Sequence, residues 1–126
     1  MMLCDSNILI YATASEDRLC APFAEREDAA IAGVSRIEVL GFPGFGNLSE
    51  DRRSRLHEIV ASMMELEMDE RVIQGAIALR QQKKMSLADA IIAATALAYD
   101  MALVTRNVDD FKHIAGLRLI NPFAAS

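Results

Sequence analysis

Four acidic residues could form one metal-binding or acid–base site if the fold brings their side chains together. They are Asp5, Glu38, Asp89 and Asp110. Crowded carboxylates raise one another's pKa unless a cation neutralises them. Oxygen ligands without His or Cys favour Mg²⁺ or Mn²⁺ over zinc. The residue types therefore predict a divalent metal site built from carboxylates.

Three of these acids also fit a purely structural role. Each follows a helix-capping residue by three positions, in the pairs Ser35 with Glu38, Ser86 with Asp89, and Asn107 with Asp110. In such a capping box the acid returns a hydrogen bond to the cap and is favoured by the helix dipole. Taken one at a time, these acids are explained more simply as caps than as metal ligands.

Asp89 is the main exception to the capping explanation. It is the only charged residue between Lys84 and Asp100, in a segment of mostly apolar side chains. A carboxylate buried there without a partner is costly, so it needs a cation, a proton or a metal ion.

The elements that must position these acids alternate between strands and helices. Short apolar runs predict strands at residues 1–4, 30–34, 65–68, 102–104 and 117–120. Helical periodicity and caps predict helices at residues 7–13, 35–41, 50–63, 69–82, 86–99 and 107–114, with a short helix within 14–29. This alternation predicts an α/β fold with a central, mostly parallel sheet flanked by helices. Right-handed crossovers then bring all four acids to the carboxyl edge of the sheet, where ligands bind in such folds.

Length and composition set further limits. We expect one domain spanning residues 1–126, with an aliphatic core because the chain has no Trp. A net charge of −5 argues against a broad phosphate-binding surface, although carboxylates that hold divalent cations change the local sign. No apolar run approaches the roughly 18 residues of a membrane span, and the N-terminus does not read as a signal peptide. Since Cys4 and Cys20 match neither a disulfide framework nor a zinc pattern, we expect a reducing, cytoplasmic location without membrane contact.

Several segments in the right order resemble one known family. They are LCDSN at residues 3–7, the isolated Glu38, LADAIIAATA at 87–96, LVTRNVDDF at 103–111 and INP at 120–122. Together they resemble a PIN domain, and within that family the VapC-type toxins of bacterial toxin–antitoxin pairs. Ser6 stands where the family usually has Thr, which keeps the hydroxyl, and the loop at residues 41–49 is less regular than usual.

The resemblance implies an endoribonuclease, a hydrolase of phosphodiester bonds that depends on Mg²⁺ or Mn²⁺. It implies that Asp5, Glu38 and Asp89 are metal ligands and that Asp110 completes the site. Supporting roles fall to Ser6, Asn7, Thr105 and Asn107, and candidate RNA contacts are Arg106, Lys83 and Lys84. The resemblance also implies a homodimer and inhibition by a VapB-like antitoxin.

Three other functions fit parts of the same sequence. One is a PIN-fold RNA-processing nuclease without an antitoxin, and another is a degenerate PIN fold used only for binding. The third is a phosphoacceptor signalling domain, for which Asp69, Thr105 and Lys112 could be parts. That third reading leaves Asp89 unexplained and lacks the paired acids expected near the first strand.

Overall fold

A parallel sheet of five strands runs through the part of the chain that this computed structural model describes, residues 1–14 and 19–124. The strands are β1 (Met2–Cys4), β2 (Ala29–Ala32), β3 (Met64–Leu66), β4 (Ala102–Val104) and β5 (Leu119–Ile120). Their order is β3-β2-β1-β4-β5, and every pairing is parallel. The predicted α/β class is confirmed, and the sheet is parallel throughout.

The described residues also form six α-helices around this sheet. They are α1 (Ser6–Ala12), α2 (Ala21–Ala24), α3 (Gly33–Gly41), α4 (Glu50–Ser62), α5 (Glu70–Gln82) and α6 (Leu87–Ala98). Short 3₁₀ helices lie at Phe45–Asn47 and Val108–Asp110. Ser49, Asp69 and Ser86 each accept a backbone N–H with their side chain and so fix the starts of α4, α5 and α6.

Each face of the sheet is covered by its own hydrophobic cluster. Leu3 and Leu103 belong to the cluster that includes α5 and α6, whereas Cys4 and Val104 belong to the cluster that includes α1 and α4. Successive strand residues thus alternate between the two faces. Burial on both faces explains why the strands are continuous apolar runs. The polar residues that follow β1 and β4 are left at the carboxyl edge.

The structure corrects the predicted start of the third helix. β2 ends at Ala32 and α3 begins at Gly33, two residues before the expected cap Ser35. Ser35 is fully buried inside the helix, and its hydroxyl has no hydrogen-bond partner among the described residues. Ser35 therefore does not cap the helix that carries Glu38, and the capping-box explanation for this acid is wrong.

Other differences are smaller. The helix expected at 107–114 is only the 3₁₀ helix Val108–Asp110, followed by turns. On α5, Ile73 and Ile77 are exposed although the periodicity places them on the buried side. Of the predicted segment 14–29, residues 15–18 lie outside the described residues. In the described part of the chain no helix is both long enough and apolar enough to cross a membrane.

Candidate active site

Asp5 occupies the centre of the carboxyl edge, directly after the middle strand β1. Its backbone is extended, and its carboxylate caps α1 by accepting the N–H of Ser6 at 2.8 Å. The backbone N–H of Asp5 donates to the carbonyl oxygen of Val104, which keeps the residue beside the end of β4. Only 5% of Asp5 is exposed. The strand order therefore places one buried carboxylate where the two halves of the sheet meet.

Thr105 provides the second hydrogen bond to this carboxylate. Its Oγ1 donates to Oδ2 of Asp5 at 2.9 Å and accepts the backbone N–H of Asn107 at 3.1 Å. Thr105 is fully buried, and its own N–H donates to the carbonyl of Ile120 on β5. The β4 end thus holds Asp5 in one orientation.

Ser6 connects Asp5 to Glu38. The Ser6 hydroxyl lies 3.0 Å from Oε1 of Glu38, to which it donates, and 3.5 Å from Oδ1 of Asp5. Glu38 is half-buried on α3, which follows the neighbouring strand β2. Two carboxylates from separate elements therefore share one hydroxyl.

Asp89 lies in the first turn of α6, where its backbone N–H donates to the capping Ser86 hydroxyl at 3.1 Å. Asp89 thus occupies the position expected of a capping-box acid, but its pKa also responds to the other acids. Partial burial raises the pKa of Asp89, and repulsion from Asp5, Asp110 and Glu38 raises it further, while Ser86 opposes the shift. The other three predicted acids are therefore within electrostatic reach of Asp89.

Asp5 experiences a similar balance of forces. Burial raises the pKa of its carboxyl, whereas the hydrogen bonds from Thr105 and Ser6 lower it. Repulsion from Asp110 acts in the same direction as burial. The net effect is a raised pKa, which means that the fold disfavours the charged form of Asp5. A bound cation would favour that charged form.

Asp110 differs from the other acids because it is exposed at the end of the 3₁₀ helix Val108–Asp110. Asn107 precedes this helix, but its side chain makes no capping hydrogen bond in the described residues, which corrects the expected Asn107–Asp110 capping box. Asp110 lines a cavity of about 310 Å³ whose other walls are Arg106, Asn107, Val108, Asp109 and Asn121.

The donor chemistry of this edge fits a hard divalent cation. Its ligands would be carboxylate oxygens, and burial raises the pKa of the adjacent Cys4 thiol to about 12, so this sulfur stays protonated. Within residues 1–14 and 19–124, no three His, Cys, Asp or Glu side chains already stand close enough to hold a metal ion. The acids surround the site at electrostatic range, with Asp5 and Glu38 joined through Ser6.

The remaining predicted residues named below are exposed at the surface. Asn7 is exposed on the first turn of α1. Lys83 and Lys84 are exposed between α5 and α6, beside a cavity of about 480 Å³ that Arg80 also lines. Arg106 is exposed one residue after Thr105.

Sequence reasoning missed the two aromatic residues that hold Arg106. Its guanidinium carbon lies 4.3 Å from the ring centroid of Phe123 and 5.4 Å from that of Tyr11. Tyr11, Arg106 and Phe123 come from three distant parts of the chain, and no spacing in the sequence indicates that they meet.

Comparisons with known proteins identify a family and similar solved structures. A family model described as "PIN domain" matches residues 2–117. A toxin–antitoxin complex from Klebsiella pneumoniae contains a chain that is 30% identical, with 98% of each chain covered and a TM-score of 0.78. No curated protein sequence matches this chain at a significant level.

Two other solved structures support the fold alone, because each is only 22% identical. VapBC2 from Rickettsia felis, bound to a DNA fragment from its promoter, has a TM-score of 0.78, with 95% of this chain and 97% of that chain covered. FitAcB from Neisseria gonorrhoeae also has a TM-score of 0.78, with 99% and 100% covered. With its α/β fold and a family match over residues 2–117, the chain belongs to the PIN domain family.

Proposed function

We propose that this PIN domain is an endoribonuclease that depends on Mg²⁺ or Mn²⁺ and acts as the toxin of a type II toxin–antitoxin pair. The observation that carries the proposal is the group formed by Asp5 and the three other acids, Glu38, Asp89 and Asp110. Burial and mutual repulsion raise the pKa of both Asp5 and Asp89, and a divalent cation would neutralise that repulsion.

Three of the four acids share one task in this proposal. Asp5, Glu38 and Asp89 would hold the cation, which supplies activation of water and neutralises charge on the scissile phosphate. Thr105 and Ser6 fix the orientations of the Asp5 and Glu38 carboxylates through the hydrogen bonds described above. Outer partners of this kind position metal ligands.

The toxin role rests on likeness to a solved complex. The Klebsiella pneumoniae chain at 30% identity comes from a structure named as a toxin–antitoxin complex. An acidic edge that must be silenced suits an inhibitory segment with an Arg or Lys, which can pair with the carboxylates. We therefore propose a VapB-like antitoxin that places a basic side chain against Asp5 and its neighbours. Co-purification with a neutral or acidic inhibitory segment would contradict this version.

Exposed apolar side chains favour a homodimer. Ile37 on α3 is 72% exposed, Met64 on β3 is 53% exposed, and Ile77 on α5 is 47% exposed. An apolar cavity of about 420 Å³ lies beside Ile37 and Met68. A second copy of the chain would bury this surface. Light scattering should give twice the monomer mass for the native chain, and Ile37→Asp should give the monomer.

A cleavage assay tests the nuclease proposal. Purified protein should cut RNA with Mg²⁺ or Mn²⁺ and stop with EDTA. Asp89→Asn keeps the shape of the side chain but removes the charge that a metal ligand needs, so it should lose cleavage. Asp100→Asn is the matched control, because this exposed residue follows the C-terminal end of the same helix, at the opposite edge of the sheet. Cleavage by Asp89→Asn at the native rate would contradict the proposal.

The alternatives predict different results. An RNA-processing nuclease would cleave RNA but would not arrest growth or bind an antitoxin encoded beside it, and a binding-only domain would not cleave. A phosphoacceptor domain of the flavodoxin-like kind has the strand order 2-1-3-4-5. The order observed here, β3-β2-β1-β4-β5, is different. Asp69, the acid that this alternative would use, caps α5 and binds Arg71.

A further inference from the structure

Arg106 is held in place by aromatic rings at the edge that carries the acids. Its guanidinium lies over Phe123 at 4.3 Å and over Tyr11 at 5.4 Å, and the two rings meet edge to face at 5.6 Å. Phe123 is itself fixed because its backbone N–H donates to the side chain of Asn121 at 2.9 Å. Cation–π contacts of this kind hold a charged side chain without consuming its hydrogen-bond donors.

The hydrogen-bond donors of the Arg106 side chain have no partner among the residues that the structure describes. Among the ion pairs and hydrogen bonds of residues 1–14 and 19–124, none involves the Arg106 side chain. The nearby acid Asp109 pairs instead with Lys112 at 3.0 Å. By contrast, Arg118 at the opposite edge donates to Asp100. An exposed guanidinium whose N–H groups have no partner among the described residues can bind an anion.

Arg106 also shares a cavity with Asp110, one of the four acids. The cavity of about 310 Å³ has Arg106 and Asn121 on its wall together with Asp110, whose charge affects both Asp5 and Asp89. A group bound to Arg106 in this cavity would therefore lie beside the proposed metal site.

We infer that Arg106 binds a phosphate of a single RNA strand next to the scissile phosphate. The inference rests on the proposed nuclease function and names a residue that would position its substrate. A guanidinium offers two parallel N–H donors to one phosphate. Because Tyr11 and Phe123 already restrict the side chain, less conformational entropy is lost on binding. The protein has a net charge of −5, so a fixed cation beside the acids offsets their repulsion of the strand.

Fluorescence anisotropy tests this inference by measuring the binding of a labelled single-stranded oligoribonucleotide in Ca²⁺. A gel checks that the strand stays intact. We expect Arg106→Ala to weaken binding about five- to tenfold, the loss typical of one phosphate contact. Arg118→Ala removes the same charge at the opposite edge and should change binding less than twofold. Tyr11→Leu with Phe123→Leu keeps the charge but frees the guanidinium, so it should weaken binding two- to threefold.

A second measurement separates a specific contact from a general loss of charge. Oligonucleotides with one neutral methylphosphonate linkage are compared between the native protein and Arg106→Ala. At one linkage beside the cleavage position, the difference between the two proteins should disappear. Equal binding of Arg106→Ala and the native chain, or a difference that stays the same at every linkage, would overturn the inference.

The failure of the inference can be told apart from the failure of the proposed function. If the native protein cut no RNA with Mg²⁺ or Mn²⁺, the nuclease proposal would fail, but the binding measurement needs no turnover and still decides the role of Arg106. If Arg106→Ala weakened binding of an inhibitory protein and left oligonucleotide binding unchanged, Arg106 would serve a protein partner and the inference would be wrong.

Discussion

The hydroxyl of Thr105 lies 2.9 Å from Oδ2 of Asp5 and donates a hydrogen bond to it. The two residues are 100 positions apart in the chain and meet because β1 and β4 are neighbours in the sheet. Both are buried, so the bond is shielded from water. It opposes the upward shift that burial imposes on the pKa of Asp5. Thr105 therefore helps to keep Asp5 charged and oriented.

Replacing Thr105 by Val should destabilise the protein and reduce its activity. Val has nearly the same shape but leaves the Asp5 oxygen and the N–H of Asn107 without this partner. Leaving buried polar groups unpaired costs about 1–3 kcal/mol, so we expect a loss of about 1–2 kcal/mol in the free energy of unfolding. Urea unfolding at neutral pH measures this loss.

Thr95→Val is the control for Thr105→Val. Thr95 is equally buried, but its hydroxyl donates only to the carbonyl of Ile91 within the same helix, at 2.6 Å. That carbonyl already accepts a backbone hydrogen bond within the helix. Removing the Thr95 hydroxyl should therefore change the free energy of unfolding by less than about 0.5 kcal/mol. Equal losses in the two variants would show that Thr105 has no special role.

Ser6 should tolerate Thr but not Ala. Ser6→Thr keeps the hydroxyl that donates to Glu38, whereas Ser6→Ala removes it. Loss of a partner that orients a metal ligand typically costs about 10–100-fold, so Ser6→Ala should slow RNA cleavage by about tenfold or more. Ser62→Ala removes a hydroxyl that donates to the carbonyl of Ile59 on the exposed side of α4, and it should cleave normally. Full activity in Ser6→Ala would show that Ser6 does not contribute to cleavage.

Asp89→Asn should stabilise the metal-free protein while it abolishes cleavage. The pKa of Asp89 is raised by burial and by repulsion, so the folded state binds its proton more tightly than the unfolded state does. Stability from this group is therefore present at low pH and is lost as the pH rises through the raised pKa. In EDTA at pH 7, Asp89→Asn should melt above the native protein. The difference should shrink as the pH falls towards about 4, the pKa of Asp in an unfolded chain.

Mg²⁺ or Mn²⁺ should reverse this order. A cation bound to the folded state raises the melting temperature of the native protein by mass action, and less so that of Asp89→Asn. Asp100→Asn is again the control, since Asp100 has a φ of 53°, which Asn also adopts readily. Identical melting temperatures of the native protein with EDTA and with millimolar Mg²⁺ or Mn²⁺ would argue strongly against a metal site.

Much of the fold could be predicted because burial leaves a direct trace in the sequence. Strands covered on both faces are apolar runs, and the caps Ser49, Asp69 and Ser86 mark helix starts. The sequence predicts the start of α3 too late, because Gly33 and Val34 continue the apolar run of β2. The end of this strand is set by its pairing with β3, in which Ala32 faces Leu66.

Contacts between distant residues could not be predicted in the same way. The rule that parallel strands share a direction predicts that the four acids lie at one edge, and this rule needs no side-chain detail. The bond from Thr105 to Asp5 and the stack of Arg106 on Tyr11 and Phe123 depend on which strands are neighbours. Periodicity within one element carries no information on that order.

Asp110 should contribute less to cleavage than Asp5, although both belong to the same acidic group. Asp5 is 5% exposed and held by Ser6 and Thr105, whereas Asp110 is exposed at the end of the short 3₁₀ helix Val108–Asp110. A side chain with few buried contacts samples more orientations and is a poorer direct ligand. We therefore expect Asp110 to act through water beside the proposed metal site.

Cleavage assays across a range of Mg²⁺ concentrations test this ranking of the two acids. Asp5→Ala should abolish cleavage at every concentration, because it removes a proposed direct ligand. Asp110→Ala should slow cleavage about 10–100-fold, as losses of partners outside the direct ligands do. Asp109→Ala, one residue earlier and exposed to solvent, removes the same charge from the same 3₁₀ helix and should cleave within about twofold of the native rate. Complete loss of cleavage in Asp110→Ala, equal to that in Asp5→Ala, would make Asp110 a direct metal ligand instead.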